Sequence, residues 1–159
     1  MVDPRLSPER ERFFYDLGSP ACWLAAEAVG GGPEWVPVFW PVSAEVDRAA
    51  VEKAANDGGL GGVVWPPSFP FDSRVAMLAA TFAKETGRAV AFSLAAFRQA
   101  FLAGRDLSVV DNVLIAAAGC ELHPRAVLKA LESPRVAERL DEATAEARAL
   151  GVTEVPHRG

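Results

Sequence analysis

Residues Ser19-Pro20-Ala21-Cys22 have the spacing of a redox dithiol with one atom changed: oxygen stands where the first sulfur of Cys-x-x-Cys would be. At a helix N-terminus, unpaired amide N–H groups and the helix dipole favour a thiolate at that first position. A serine hydroxyl with no base beside it does not ionise near neutral pH and cannot form a disulfide, so dithiol exchange is lost. What remains is a hydrogen-bond donor, able to stabilise a thiolate brought by a bound thiol by roughly 1 kcal/mol or somewhat more. Ser19 is equally an N-cap with Pro20 at the first helical position, a common helix opening. The two roles are compatible, because the cap oxygen accepts from a backbone amide and keeps its hydrogen for a ligand. Cys22, one turn in, is either the less exposed, resolving sulfur of such a motif or a small buried hydrophobe.

Other residues are candidates for the same site. Trp65, Phe69 and Phe71, in a proline-rich run, are either walls of an apolar pocket opposite Ser19 or a hinge packed on the helices that follow. Asp16 ends a strand, where a carboxylate accepts a proton, caps, or is simply solvated. His157 either reaches the site or belongs to a frayed tail. Glu27 faces solvent or pairs with a basic neighbour, and Cys120, in a Gly-Cys-Glu turn, is structural and not a partner of Cys22. Two cysteines are too few for a disulfide scaffold, and His123 and His157 stand in no metal-ligand spacing, which excludes structural zinc.

The elements that must position these residues follow from hydrophobic patterning. Residues 11–17 predict a strand dense in aromatics, 20–29 an Ala-rich helix stopped by Gly30-Gly31-Gly32, and 34–42 a second strand. Strand, helix, strand is a βαβ unit whose crossover makes the two strands parallel neighbours. Pro37 and Pro41 cannot donate to a ladder and push the second strand to the sheet edge. A helix over 44–55 ends at Asn56-Asp57-Gly58-Gly59, and residues 59–73, rich in glycine and proline, form a loop. From Ser73 the pattern is all-helical, with breaks at 86–88, 103–105 and 119–121. Asp72 or Ser73, Ser108 with Asp111 as a capping box, Pro124, and Ser133-Pro134 mark the helix starts, and the last helix runs to Leu150-Gly151.

Composition narrows the function. The chain has 159 residues, half of them hydrophobic, and a net charge of −5 without any Lys/Arg block, so it folds compactly and has no electrostatic footprint for nucleic acid. No apolar run reaches the length of a membrane span, and the N-terminal MVDPRLSPERER lacks a signal-peptide core, which predicts a cytoplasmic protein.

Several segments stand in an order met elsewhere: Phe14-Tyr15-Asp16-Leu17-Gly18-Ser19-Pro20-Ala21-Cys22-Trp23-Leu24, Pro70-Phe71-Asp72-Ser73, Ser133-Pro134-Arg135-Val136, and Gly151-Val152-x-x-Val155-Pro156. This order resembles the DsbA-like branch of the thioredoxin superfamily, and within it the 2-hydroxychromene-2-carboxylate isomerases and kappa-class glutathione transferases. The resemblance implies an α/β, thioredoxin-like fold: a βαβ portion over 1–66, an all-helical DsbA-type insertion over 67–150, and a return over 151–159. Ala21 departs from the usual aromatic and Cys22 from a second serine. Members of the family continue past the Val-Pro with a ββα part, which is expected to be truncated here, leaving an open sheet edge and a possible homodimer.

For function, the resemblance implies a glutathione-dependent isomerase or transferase acting on small hydrophobic or aromatic substrates. Ser19 would stabilise the glutathione thiolate. Pro156 would be a cis-proline, and Val155 would offer its backbone N–H and C=O to the glutathione cysteine. The rival readings are a DsbA-type thiol-disulfide oxidoreductase working through Cys22 and a catalytically inactive interaction module.

Overall fold

A computed structural model describes residues 10–43 and 45–159. Strand β1 (Arg12–Tyr15) leads through a tight turn into helix α1 (Pro20–Val29), and β2 (Glu34–Pro37) returns parallel to β1, pairing Phe13 with Trp35 and Phe14 with Val36. The expected βαβ unit is present, with β2 on the sheet edge. A short third strand, β3 (His157–Arg158), pairs antiparallel with β1 on its other side, giving the order β2-β1-β3. His157 is therefore held in a strand and is not part of a frayed tail. Reciprocal backbone bonds between Arg12 and Gly159, each 3.0 Å, extend the pairing.

Both faces of β1 are covered, which accounts for its unbroken aromatic run. Phe13 and Tyr15 point one way, stacked at 5.4 Å and meeting Trp35 edge-on, with Phe97 of helix α4 (Ala89–Phe101) 6.1 Å from Tyr15. Phe14 points the other way and packs with Val36, Val38, Ala147 and Val152 beneath helix α7 (Pro134–Ala149). Tyr15 is tied to the helical layer by a 2.7 Å hydrogen bond between its hydroxyl and Ser93 Oγ, both buried. Each fully buried aromatic contributes about 1.5–3 kcal/mol of hydrophobic stabilisation. Phe13, Tyr15 and Trp35 on one face of the sheet form a continuous core with residues of α3 (Arg74–Glu85), α4, α5 (Val110–Ala118) and α6 (Pro124–Leu131), while Phe14 and Val36 belong to the smaller cluster under α7.

Several boundaries differ from the expected ones. The strand expected over 34–42 leaves the ladder after Val38, whose N–H still bonds Tyr15; Phe39 N then donates to Thr144 Oγ1 and Trp40 N to Asp16 Oδ2. Side chains take the backbone donors there, so no strand forms. The helix expected over 44–55 is α2 (Arg48–Asp57), opened by Asp47, whose carboxylate accepts from Ala50 N; Ala44 lies outside the described residues. The Ser108–Asp111 capping box does not form, because Ser108 Oγ donates instead to Asp106 Oδ1 at 2.6 Å and α5 starts two residues later. Helices α6 and α7 open as expected, with Pro124 and Pro134 in the first turn. Glu27 joins α1 to α4: it accepts from Trp23 Nε1 and forms a two-pronged ion pair with Arg98, whose guanidinium holds it below the usual carboxylate range.

Candidate functional site

The site begins at the end of β1. Asp16 and Ser19 close a turn through Ser19 N and Asp16 O at 3.1 Å, and Ser19 caps α1 with extended backbone angles. Its Oγ accepts from Cys22 N at 3.1 Å, and Pro20 occupies the first helical position. This is the expected cap, and it leaves the hydroxyl hydrogen unused by that bond. The peptide bond between Val155 and Pro156 is cis, as is that between Phe69 and Pro70.

Ser19 and Val155 come together. Both line a cavity of about 490 Å³ whose other walls include Trp40, Val42, Val46 and Val51. Pro156 does not line it directly but follows Val155 through the cis bond. The charged residues of the lining are Glu45, Asp47 and Glu154, and the guanidinium of Arg148 lies 4.2 Å from the ring of Trp40.

Two readings left open by the sequence meet the geometry here. Trp65, Phe69 and Phe71 do not line this cavity; they form an aromatic cluster with Phe101, with Trp65 and Phe69 5.0 Å apart, and Arg48 stacks over both rings. Packing with Phe101 turns them onto the core and away from this cavity. Of the two readings of Cys22, its surroundings fit the small buried hydrophobe: it is 0% exposed beneath the helix tip, and burial pushes its pKa up to about 12. Both cysteines are free, and Cys120 points its sulfur at the Ala117 carbonyl. Among the described residues no group of His, Cys, Asp and Glu could hold a metal ion.

Asp16 is the residue that sequence reasoning undervalued. It is fully buried, its Oδ1 accepts from Gly18 N at 2.7 Å, and its Oδ2 accepts from Trp40 N at 2.7 Å and Ser73 Oγ at 3.0 Å. Burial raises its pKa to about 6, against the pull of these three donors. Trp40 was also missed as a wall, because it sat inside a predicted strand; the prolines on either side, Pro37 and Pro41, were the one available sign that the backbone leaves the sheet.

No curated protein matches this chain. Among solved structures, a 2-hydroxychromene-2-carboxylate isomerase matches with a TM-score of 0.82 at 17% identity, covering 94% of this chain and 84% of that one. A "probable DsbA oxidoreductase" from Streptomyces coelicolor matches with a TM-score of 0.73 at 19% identity, covering 94% and 79%. The cytosolic disulfide reductase DsbM from Pseudomonas aeruginosa, determined with GSH, matches with a TM-score of 0.64 at 19% identity, covering 93% and 84%. At these identities the likeness speaks for the fold. Residues 48–157 match the model of the DSBA-like thioredoxin domain, and the chain belongs to that family.

Proposed function

We propose that the protein is a glutathione-dependent isomerase or transferase acting on small hydrophobic or aromatic substrates. The observation that carries this reading is the single cavity shared by the Ser19 helix tip and Val155, the residue before the cis bond. Bound glutathione supplies the nucleophilic sulfur: addition to a conjugated double bond, rotation and departure give isomerisation, and addition to an electrophile without departure gives transfer. The chain's own residues do the rest. Ser19 donates its hydroxyl hydrogen to the sulfur, and the α1 N-terminus adds its dipole. Val155 offers its backbone in strand fashion, while Trp40, Val42, Val46 and Val51 favour an apolar second substrate and keep water from the sulfur. Glu45, Asp47 and Glu154 suit the ammonium of the tripeptide and oppose its carboxylates, so the fit is best at the thiol end.

The GSH bound to DsbM supports the ligand, and its cytosolic setting supports a cytoplasmic one. The buried, protonated Cys22, with Ser19 in place of a first thiol, speaks against disulfide exchange. Calorimetric titration tests the reading. Glutathione is expected to bind at millimolar concentration or below, and Ser19→Ala to bind roughly tenfold more weakly. No binding at millimolar glutathione overturns the proposal.

A further inference from the structure

We infer that Asp16 is a positioning residue for the cavity, its buried carboxylate tying the tip of α1, the Trp40 wall and the start of α3 into one unit. Its three donors come from three separate segments: Gly18, adjacent to the cap residue; Trp40, beyond β2; and Ser73, which precedes α3. The backbone carbonyl of Asp16 also receives Ser19 N. The packing there is tight, since a Cβ added at Gly18 would lie 3.2 Å from Asp16 Oδ1 and 3.2 Å from Ser73 Cβ.

A carboxylate accepts from all three donors; a carboxylic acid carries a donor of its own. Ser73 can rotate its hydroxyl to accept that proton, whereas the two backbone amides cannot turn. A proton on Oδ2 therefore weakens the Trp40 bond, and one on Oδ1 weakens the Gly18 bond beside Ser19. In either case the wall or the helix tip loses an anchor. The titratable groups facing Asp16 are Tyr15 on β1, Cys22 on α1 and Asp72 in the segment entering α3. Burial keeps the first two protonated, and the negative charge of Asp72 pushes Asp16 upward.

The test is a pH titration of the ligand-free protein by NMR, following the Asp16 carboxyl carbon and the amides of Gly18, Trp40 and Cys22. All four are expected to shift with one midpoint near pH 6, because the Cys22 amide reports on the Ser19 oxygen that it binds. In Asp16→Asn the three amides should become flat. If that variant does not fold, the carboxyl carbon of the wild-type protein still identifies the titrating group. A Trp40 or Cys22 amide that stays still while the Asp16 carboxyl titrates overturns the inference, since Asp16 would then cap its own turn and nothing more. The consequence for ligand binding rests on the proposed function: glutathione should bind less tightly below the midpoint than above it. Amides that move together in a protein that binds no glutathione at any pH would uphold the positioning role and overturn the proposed ligand.

Discussion

Ser19 and Asp16 are three positions apart and depend on opposite properties. Ser19 matters for a proton that it keeps, and Asp16 for one that it sheds with difficulty. Burial raises the folded pKa of Asp16 to about 6 from an ordinary 3.8, so its contribution to stability is fully present below the ordinary value and is lost as pH rises through about 6. The span amounts to about 3 kcal/mol. Glu27 and Glu34, held low by Arg98 and Lys84, act in the opposite direction, losing stability as pH falls. Asp16 is therefore best isolated by difference. Urea denaturation across pH 3 to 7 is expected to show the stability of wild type relative to Asp16→Asn falling by about 3 kcal/mol as pH rises; a constant difference would mean that Asp16 titrates normally. The cap at Ser19 was legible from the sequence because a serine before a proline at a strand end has one local geometry. Asp16 was not, because its partners Trp40 and Ser73 are distant in sequence.

Among the elements, those with strong local punctuation fell where the sequence placed them. Helix α1 begins at Pro20 and ends before Gly30, and α6 and α7 begin at proline. The errors arose where side chains competed for backbone or for each other, at Ser108 with Asp106 and along 38–40 with Thr144 and Asp16. The link between α4 and the loop before α3 is narrower than its sequence suggests. Gly104, with φ +66, lies against that loop, and an added Cβ would stand 2.7 Å from Val64 Cγ1 and 3.3 Å from Val64 O. Nearby, Val64 N donates to Phe101 O at 2.8 Å. Gly104→Ala is expected to lose about 1–2 kcal/mol from the left-handed backbone alone, with the clash adding to it. A thermal shift no larger than that of Gly31→Ala, a site with open space and no positive φ, would show that the loop gives way.

At the scale of the whole molecule, one face of the sheet shares an apolar interior with helices α3 to α6, pinned at a polar point by Tyr15 and Ser93. Burial holds the phenol far from ionisation, so this hydrogen bond stays neutral across the accessible pH range. Tyr15→Phe strands the Ser93 hydroxyl and Ser93→Ala strands the phenol, each costing about 1–3 kcal/mol. The double variant is expected to be less destabilised than the sum of the two, and denaturant melts of the four proteins give the coupling directly. Additivity would mean that each group finds another partner. The layered α/β plan was readable from periodicity; the aromatic cluster at Trp65, Phe69 and Phe71 stayed open between two roles because its proline-rich loop predicts rigidity but not the direction in which the rings turn.

The alternation along β1 has a consequence that reaches the cavity. Phe14 turns toward α7 while Phe13 and Tyr15 turn toward α4, so the strand has no second frame to slide into. Slipping by one step would carry the phenol away from its serine and drag the carboxylate just beyond it out of reach of Trp40. A single-residue insertion or deletion in these four positions thus removes the pocket along with the interior.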